Sequence, residues 1–218
     1  MPGMALSAAA DIRPDALAGF EQRYGGKGFA SVAALCASGT IDAVWIATPN
    51  TCHADHTVLA AEHGLHVIVE KPMAVTLAEA DRMIAAAARH KVKLVQGHSK
   101  IYGAAIRKMR EIVASGALGE VIQITSLNFN DWLQRPRLDS EVDTKIGGGV
   151  CFRQGPHQVD IVRYLAGGLA KSVRAVTGRA DANFATEGDY TALLRFANGA
   201  RATLAFNGYG FFDSAELT

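Results

Sequence analysis

The chain has 218 residues, of which 49% are hydrophobic and 20% charged, and its 22 basic and 21 acidic side chains leave a formal charge of +1. Disorder requires the opposite balance, so a sizeable core is expected. The charge gives no case for nucleic acid, whose binding domains are strongly basic. Cys36, Cys52 and Cys151 are odd in number and share no short spacing, the pattern of reduced thiols and not of a disulfide framework. No apolar run approaches the ~20 residues that span a membrane. The apolar stretch at the start lacks a basic lead and ends at Asp11 and Arg13, unlike a signal peptide. A cytoplasmic protein is expected.

In chain order, the first half alternates short strands with helices. Leu6–Asp11 reads as a strand, and a helix opens at Pro14 and stops at Gly25-Gly26, since proline suits a first turn and glycine an end. A short helix near Ser31–Ser38 precedes Ile41–Ala47, a continuous apolar run of the kind covered on both faces. Thr48-Pro49-Asn50 turns the chain into a helix running to about Gly64, and Leu65–Glu70 is the next buried strand. Thr76-Leu77-Ala78-Glu79 is a capping box that starts a long helix to His90, followed by the strand Lys93–Gly97. This alternation predicts right-handed crossovers and a parallel sheet.

After about Tyr102 the rhythm changes. A helix over Ala104–Ala114 leads to an alternating strand, Val121–Asn130, then a polar loop with Trp132, Arg135, Pro136 and Arg137, then Gly147-Gly148-Gly149. A helix starts at Pro156 and ends before Gly167-Gly168, and two antiparallel strands flank the hairpin signal Ala197-Asn198-Gly199. The expected architecture is α/β: a Rossmann-type parallel sheet over residues 1–101, then an α+β domain with an antiparallel or mixed sheet over residues 102–218.

Ligands of open α/β sheets sit beyond the carboxyl ends of the strands. Those ends carry Asp11, Thr48-Pro49-Asn50, Glu70-Lys71-Pro72 and Gly97-His98. A strand-end carboxylate such as Asp11 suits ribose hydroxyls. The G-x-G-x-x-G fingerprint is not present, and Asp11 has only ten residues ahead of it. His157 and Asp160 lie three apart on one helix, so both can face one cleft. Histidine suits acid–base work because its unperturbed pKa lies near neutrality. His53-x-x-His56 and His63-x-x-His66 have zinc-like spacing, but His66 falls in a strand and no thiolate pair completes a tetrahedron. No metal is expected, and the histidines read as a solvated helix.

Ala47-Thr48-Pro49-Asn50-x-x-His53, Gly64-x-His66-Val67-x-x-Glu70-Lys71-Pro72 and the triple glycine with Gly155-Pro156-His157-x-x-Asp160 resemble the Gfo/Idh/MocA family of nicotinamide-dependent oxidoreductases, from about Ala5 to about Phe212. The resemblance implies a Rossmann domain and an α+β domain whose open sheet mediates homo-oligomerisation. It also implies that the first strand and glycine turn would precede Met1 and that the second domain would continue past Thr218. It makes Lys71 and His157 the catalytic pair. Asp11, Arg13, Thr48, Pro49, Asn50, His53, Glu70 and Lys71 become the cofactor-binding positions. Asp11 favours NAD by repelling a 2′-phosphate, whereas Arg13 leaves NADP open. In some relatives a cis bond precedes the matching proline.

Arg153 stands where many relatives place an aspartate that binds polyols. A guanidinium there suits a carboxylate, and Arg135, Arg137 and Asp160 join it as substrate-binding candidates. Asp131-Trp132-Leu133-x-Arg135-Pro136-Arg137 with Gly149–Gln154 resembles the branch of 4,5-dihydroxyphthalate or phthalate dihydrodiol dehydrogenases. The expected activity is NAD(P)-linked oxidation of a small carboxylated cyclic diol. A sugar or inositol dehydrogenase of the same family and a non-catalytic remnant remain alternatives.

Overall fold

The computed structural model describes residues 3–210, so Met1 and Pro2, the end of the resemblance near Phe212 and the expected domain end at Thr218 lie outside the described residues. The chain forms two compact units, the first ending at Gly97 and the second beginning at His98.

In the first unit β1 (Ala8–Ala10) pairs in parallel with β2 (Lys27–Phe29), and α1 (Pro14–Tyr24) connects them. Pro14 opens α1, and Gly25 closes it at φ 66°, the left-handed conformation that glycine adopts without penalty. β2 has no expectation in the sequence pattern. Its three residues, with a glycine at the centre, carry no periodicity. What orders it is the pairing with β1 and the Gly28 amide donating to the Glu21 carboxylate at 2.8 Å. α2 (Val32–Cys36) is capped by the Ser31 hydroxyl.

β3 (Ala43–Ile46), β4 (His66–Val69) and β5 (Leu94–Gln96) then form a parallel sheet in that order. α3 (His53–Glu62) and α4 (Leu77–His90) are its crossovers, and the Thr76–Glu79 capping box is present. One sheet face packs Ile46, Val67 and Val69 against Ala54, Ala60 and Met83. Between β4 and α4 the Lys71–Pro72 peptide is cis.

The second unit begins with α5 (Ala104–Ala114) and β6 (Gln123–Phe129), passes through three short 3-10 turns, and continues as α6 (Gly149–Arg153) and α7 (Gly155–Ala166). β7 (Ala170–Gly178), β8 (Asp189–Phe196) and β9 (Arg201–Asn207) complete a mixed sheet of order β6-β9-β8-β7. β6 runs parallel to β9, and the other neighbours are antiparallel. The β8–β9 turn holds Gly199 at φ 91°, where the Asn-Gly signal placed it. Alternation is strict: Tyr190, Ala192, Leu194, Phe196, Ala202, Leu204 and Phe206 face a core shared with Val150, Val162 and Ala166. Trp132 and Leu133, which read as part of a polar loop, belong to that core.

The Gln158 amide fastens α7 to the sheet, donating to the Ser126 carbonyl at 3.2 Å, the Ser126 hydroxyl at 3.0 Å and the Ala205 carbonyl at 3.3 Å. Its carbonyl accepts the Tyr190 hydroxyl.

Candidate active site

The carboxyl ends of the first unit's strands are tied together by side chains. His53 is 1% exposed. One of its ring nitrogens lies 2.8 Å from the Pro72 carbonyl and the other 2.9 Å from the Thr48 carbonyl. The expectation of a solvated histidine helix is therefore wrong at this position: the imidazole is buried and clamps the turn after β4 to the turn after β3. Thr48 is held a second time, its hydroxyl 3.0 Å from His56 Nδ1. His63 stays on the surface, with Nδ1 2.9 Å from the Leu59 carbonyl. Among the described residues no group of three or more His, Cys, Asp or Glu side chains could hold a metal ion.

Glu70 receives the Trp45 indole N–H at 3.3 Å and the Lys71 backbone amide, also at 3.3 Å. Its carboxylate thus orients the turn that presents Lys71. Trp45, 25 residues away in sequence, gave no signal of this role. Gly97 ends β5 so close to β4 that a Cβ there would lie 3.0 Å from the Val69 carbonyl oxygen. At the end of β1, the Asp11 carboxylate accepts from the Arg13 amide at 2.9 Å and from its guanidinium at 3.3 Å. The Arg13 guanidinium holds the Asp11 carboxyl below its ordinary range. The two are one unit, a carboxylate with a cation beside it.

The second unit divides the expected substrate residues into three groups. Arg153 Nη2 donates to Glu141 Oε1 at 2.7 Å, and Arg137 Nη1 approaches the same oxygen at 3.9 Å. Arg137 also donates from Nε to the Trp132 carbonyl at 2.8 Å and stacks over the indole at 4.4 Å. Burial lowers the Arg137 pKa against the opposing pull of Glu141. Arg135 instead pairs with Asp131 at 2.6 Å on the surface.

Asp160 belongs elsewhere. One oxygen lies 3.4 Å from His98 Nδ1, and the other is buried without a hydrogen-bond partner. It lines an open cavity of about 340 Å³ with Ile101, Arg163 and Tyr164. His157 sits half-buried in the first turn of α7, its amide donating to the Gln154 carbonyl at 3.1 Å. Four positions separate it from Arg153, the last residue of α6.

The triple glycine has a packing reason. Gly147 is at φ 82°, a Cβ on Gly148 would meet the Asp143 backbone at 2.7 Å, and one on Gly149 would collide with the Thr186 hydroxyl and the Glu187 carboxylate. Glu187 accepts the Cys151 amide at 3.0 Å, the Thr144 hydroxyl at 2.8 Å and the Thr186 hydroxyl at 3.0 Å. Sequence reasoning missed Glu141 and Glu187, because the contacts that tie Glu141 to Arg153 and Glu187 to Cys151 and Thr144 cross 12, 36 and 43 residues.

A parallel βαβ unit with polar strand ends, followed by a mixed sheet backed by a glycine-flanked helix, defines the class of two-unit chains that open with a Rossmann-type fold. Residues 1–98 match an oxidoreductase family model with an NAD-binding Rossmann fold, and residues 106–212 match the GFO/IDH/MocA C-terminal domain. The chain belongs to the Gfo/Idh/MocA family. It is 40% identical over 97% of its length to the 1-carboxy-3-chloro-3,4-dihydroxycyclohexa-1,5-diene dehydrogenase of Comamonas testosteroni, of which it covers 54%. It superposes, with TM-score 0.95 and 41% identity, on a Bordetella bronchiseptica RB50 protein provisionally described as a dehydrogenase, covering 99% of this chain and 57% of that one. The WlbA dehydrogenase of Bordetella pertussis, solved with NADH and UDP-GlcNAcA, has TM-score 0.85 at 26% identity over 96% of this chain and 61% of its own. The chain spans just over half the length of these relatives.

Proposed function

We propose that the chain is part of an NAD(P)-linked dehydrogenase that oxidises a carboxylated cyclic diol. The observation that carries this reading is the sheltered Arg137–Glu141–Arg153 network, which ends four residues before His157. Guanidiniums at such a position recognise a carboxylate through charge-assisted hydrogen bonds. The 40% identity to a dehydrogenase whose named substrate carries one carboxylate and two hydroxyls supports it.

The strand ends fit a dinucleotide. Asp11 is a carboxylate acceptor for ribose hydroxyls, and the Arg13 cation paired with it suits a 2′-phosphate, so the pair serves either cofactor, with NAD the preferred assignment. Thr48, Pro49, Asn50 and Glu70 would hold the rest, with His53 fixing their backbone and Lys71 presented beside them. The nicotinamide, when bound, supplies the hydride acceptor. In this reading His157 takes the hydroxyl proton of the diol as its C–H bond is broken, and the Lys71 ammonium stabilises the developing alkoxide. Asp160 is assigned to the substrate side, and Arg135 to the rim.

Turnover of a panel of cyclic diols with and without carboxylates tests the proposal. Charged hydrogen bonds contribute ~1.5–3 kcal/mol each, and 1.36 kcal/mol is a decade in rate. Arg153→Ala is expected to lower kcat/KM for carboxylated diols roughly ten- to a hundredfold while sparing NAD affinity. Arg153→Lys should recover only part of the loss, because an ammonium cannot make the bidentate fork. An unchanged kcat/KM in Arg153→Ala, or preferred turnover of uncharged polyols, would overturn the reading.

A further inference from the structure

We propose that His53 is a doubly protonated imidazolium, a positioning residue whose two N–H groups hold two strand-end turns at their spacing, and that His56 beside it stays neutral. The charge assignment stands apart from the proposed activity, and only its consequence for the cofactor rests on that reading.

Both partners of the His53 ring are backbone carbonyls, Pro72 at 2.8 Å from Nδ1 and Thr48 at 2.9 Å from Nε2. A carbonyl oxygen only accepts, so each contact needs a proton on the ring nitrogen. A neutral imidazole has one N–H and one bare nitrogen, whereas the imidazolium has two N–H groups. In the neutral ring one carbonyl would face a lone pair at hydrogen-bond distance. His53 is 1% exposed, and solvent has little access to relieve that repulsion. Two effects oppose the charge. Burial disfavours a cation left unpaired, but here both N–H groups are satisfied. His53 is also the first residue of α3, the positive end of the helix. That effect is weak beside two charge-assisted hydrogen bonds.

The neighbouring charges are engaged elsewhere. Asp55, on α3 itself, accepts from the Arg82 guanidinium of α4 at 2.7 Å. After β4, Glu70 accepts the Lys71 amide, and Glu79 of α4 accepts the Val75 and Thr76 amides. Glu62 and His63 lie at the other end of α3, and His66 at the opposite end of β4. On α2, burial pushes the Cys36 thiol up, so it adds no charge. Lys71 is the cationic neighbour of Pro72 in the chain. Among the described residues no carboxylate lies within ion-pair distance of the His53 ring. The two carbonyls therefore hold the proton. His56 has the opposite need. Its Nδ1 lies 3.0 Å from the Thr48 hydroxyl, a contact that takes one proton between the two groups. Burial and the like charge of His53 push the His56 pKa down, against the pull of Asp55. The zinc-like spacing His53-x-x-His56 thus divides one charge between two rings, both of which touch Thr48. Thr48 opens the turn with Pro49 and Asn50, and Pro72 closes Glu70-Lys71-Pro72. The clasp between these turns is complete below the pH at which His53 loses its second proton and has one arm above it.

NMR of the protein with isotope-labelled histidines counts the protons on each ring. At neutral pH both nitrogens of His53 should carry protons, whereas His56 should carry one. As the pH is raised, His53 should lose a proton in a step that also shifts the carbonyl carbons of Thr48 and Pro72. His56→Gln should leave His53 doubly protonated. In His53→Gln the neighbouring cation is gone, so His56 should titrate at a higher pH than in the natural protein, a shift that a purely structural role for His53 would not produce. NADH affinity, followed by fluorescence, should fall roughly tenfold across the His53 step, and His53→Gln should show no such step. A singly protonated His53 at neutral pH, a charged His56 beside it, or carbonyl resonances that ignore the step would overturn the proposal. An NADH affinity without the step, in a protein whose His53 behaves as described, would remove the link to the cofactor and leave the charge assignment standing.

Discussion

Lys71 and His157 stand at a strand end and a helix start that the sequence pattern locates, whereas Arg153 closes α6, a short helix the pattern did not mark. The residues that hold the expected site residues were not legible in the same way. His53, Trp45, Glu141 and Glu187 each have at least one partner 12 or more residues away, and no local pattern marks a side chain whose partner arrives by tertiary folding. His53 shows how far this goes: the histidines read as a solvated helix, whereas this imidazole lies between two backbone carbonyls. Cys151 is a second case. Composition makes it one of three ordinary thiols, but burial and the adjacent Glu187 carboxylate push its pKa up to about 12. An ordinary thiol of pKa ≈ 8.5 is about a quarter thiolate at pH 8, against roughly one part in ten thousand here. Iodoacetamide at pH 8 should therefore alkylate Cys151 about a thousandfold more slowly than a free cysteine. Mass-spectrometric mapping that found Cys151 labelled at the free rate would contradict this environment.

At the scale of elements, caps and turn glycines were readable because their chemistry is local. The Thr76–Glu79 box, Pro14 at the start of α1 and Gly199 in the β8–β9 turn all fall where the sequence puts them. β2 and β7 were not readable: one is three residues long, and the other is an edge strand exposed along nearly its whole length. The start of α6 shows how a motif can be found without its reason. Gly147-Gly148-Gly149 stands out in the sequence, and its physical role appears only in the fold, where a Cβ on Gly149 would collide with the Glu187 carboxylate. Desolvation raises the Glu187 pKa, but the amide of Cys151 and the hydroxyls of Thr144 and Thr186 outweigh it, so the folded value is lowered. A carboxyl with a depressed folded pKa stabilises the fold above its ordinary value near 4.5 and loses that contribution as pH falls through the lowered one. Glu187→Gln should thus cost ~1–2 kcal/mol at pH 7, a fall in Tm of several degrees. The gap from the natural protein should close as the pH is lowered from 6 toward 3. Calorimetric melts in which the gap stays constant over that range would assign the cost to packing instead of charge.

At the scale of the molecule, the reading of α/β followed by α+β rests on the change of rhythm after Tyr102, and the two units have those architectures. One consequence of the parallel sheet was not readable. The face of β3-β4-β5 opposite the Met83 core carries Trp45 and Val95 in register, 62% and 44% exposed, although parallel strands are ordinarily covered on both sides. Trp132, the other tryptophan, is 6% exposed. Acrylamide should quench the Trp45 emission and leave the Trp132 emission, and Trp45→Phe should remove the quenchable component. A natural protein whose emission resisted acrylamide would show this face to be covered, and quenching that survived Trp45→Phe would show that Trp132 is reached by the quencher. The order of the second sheet also bears on how the chain comes together in time. β6 pairs with β9, Gln123 opposite Arg201, so its partner is synthesised only after α6, α7, β7 and β8. The β8–β9 hairpin can form as soon as its two strands are made, whereas β6 must wait with its inward side chains uncovered until β9 is complete. Contacts of such long separation are slow to form and leave strand edges open to wrong partners. The second unit is therefore expected to close from the β8–β9 hairpin back to β6, and the Gln158 bonds to Ser126 and Ala205 require both β6 and β9 to be in place.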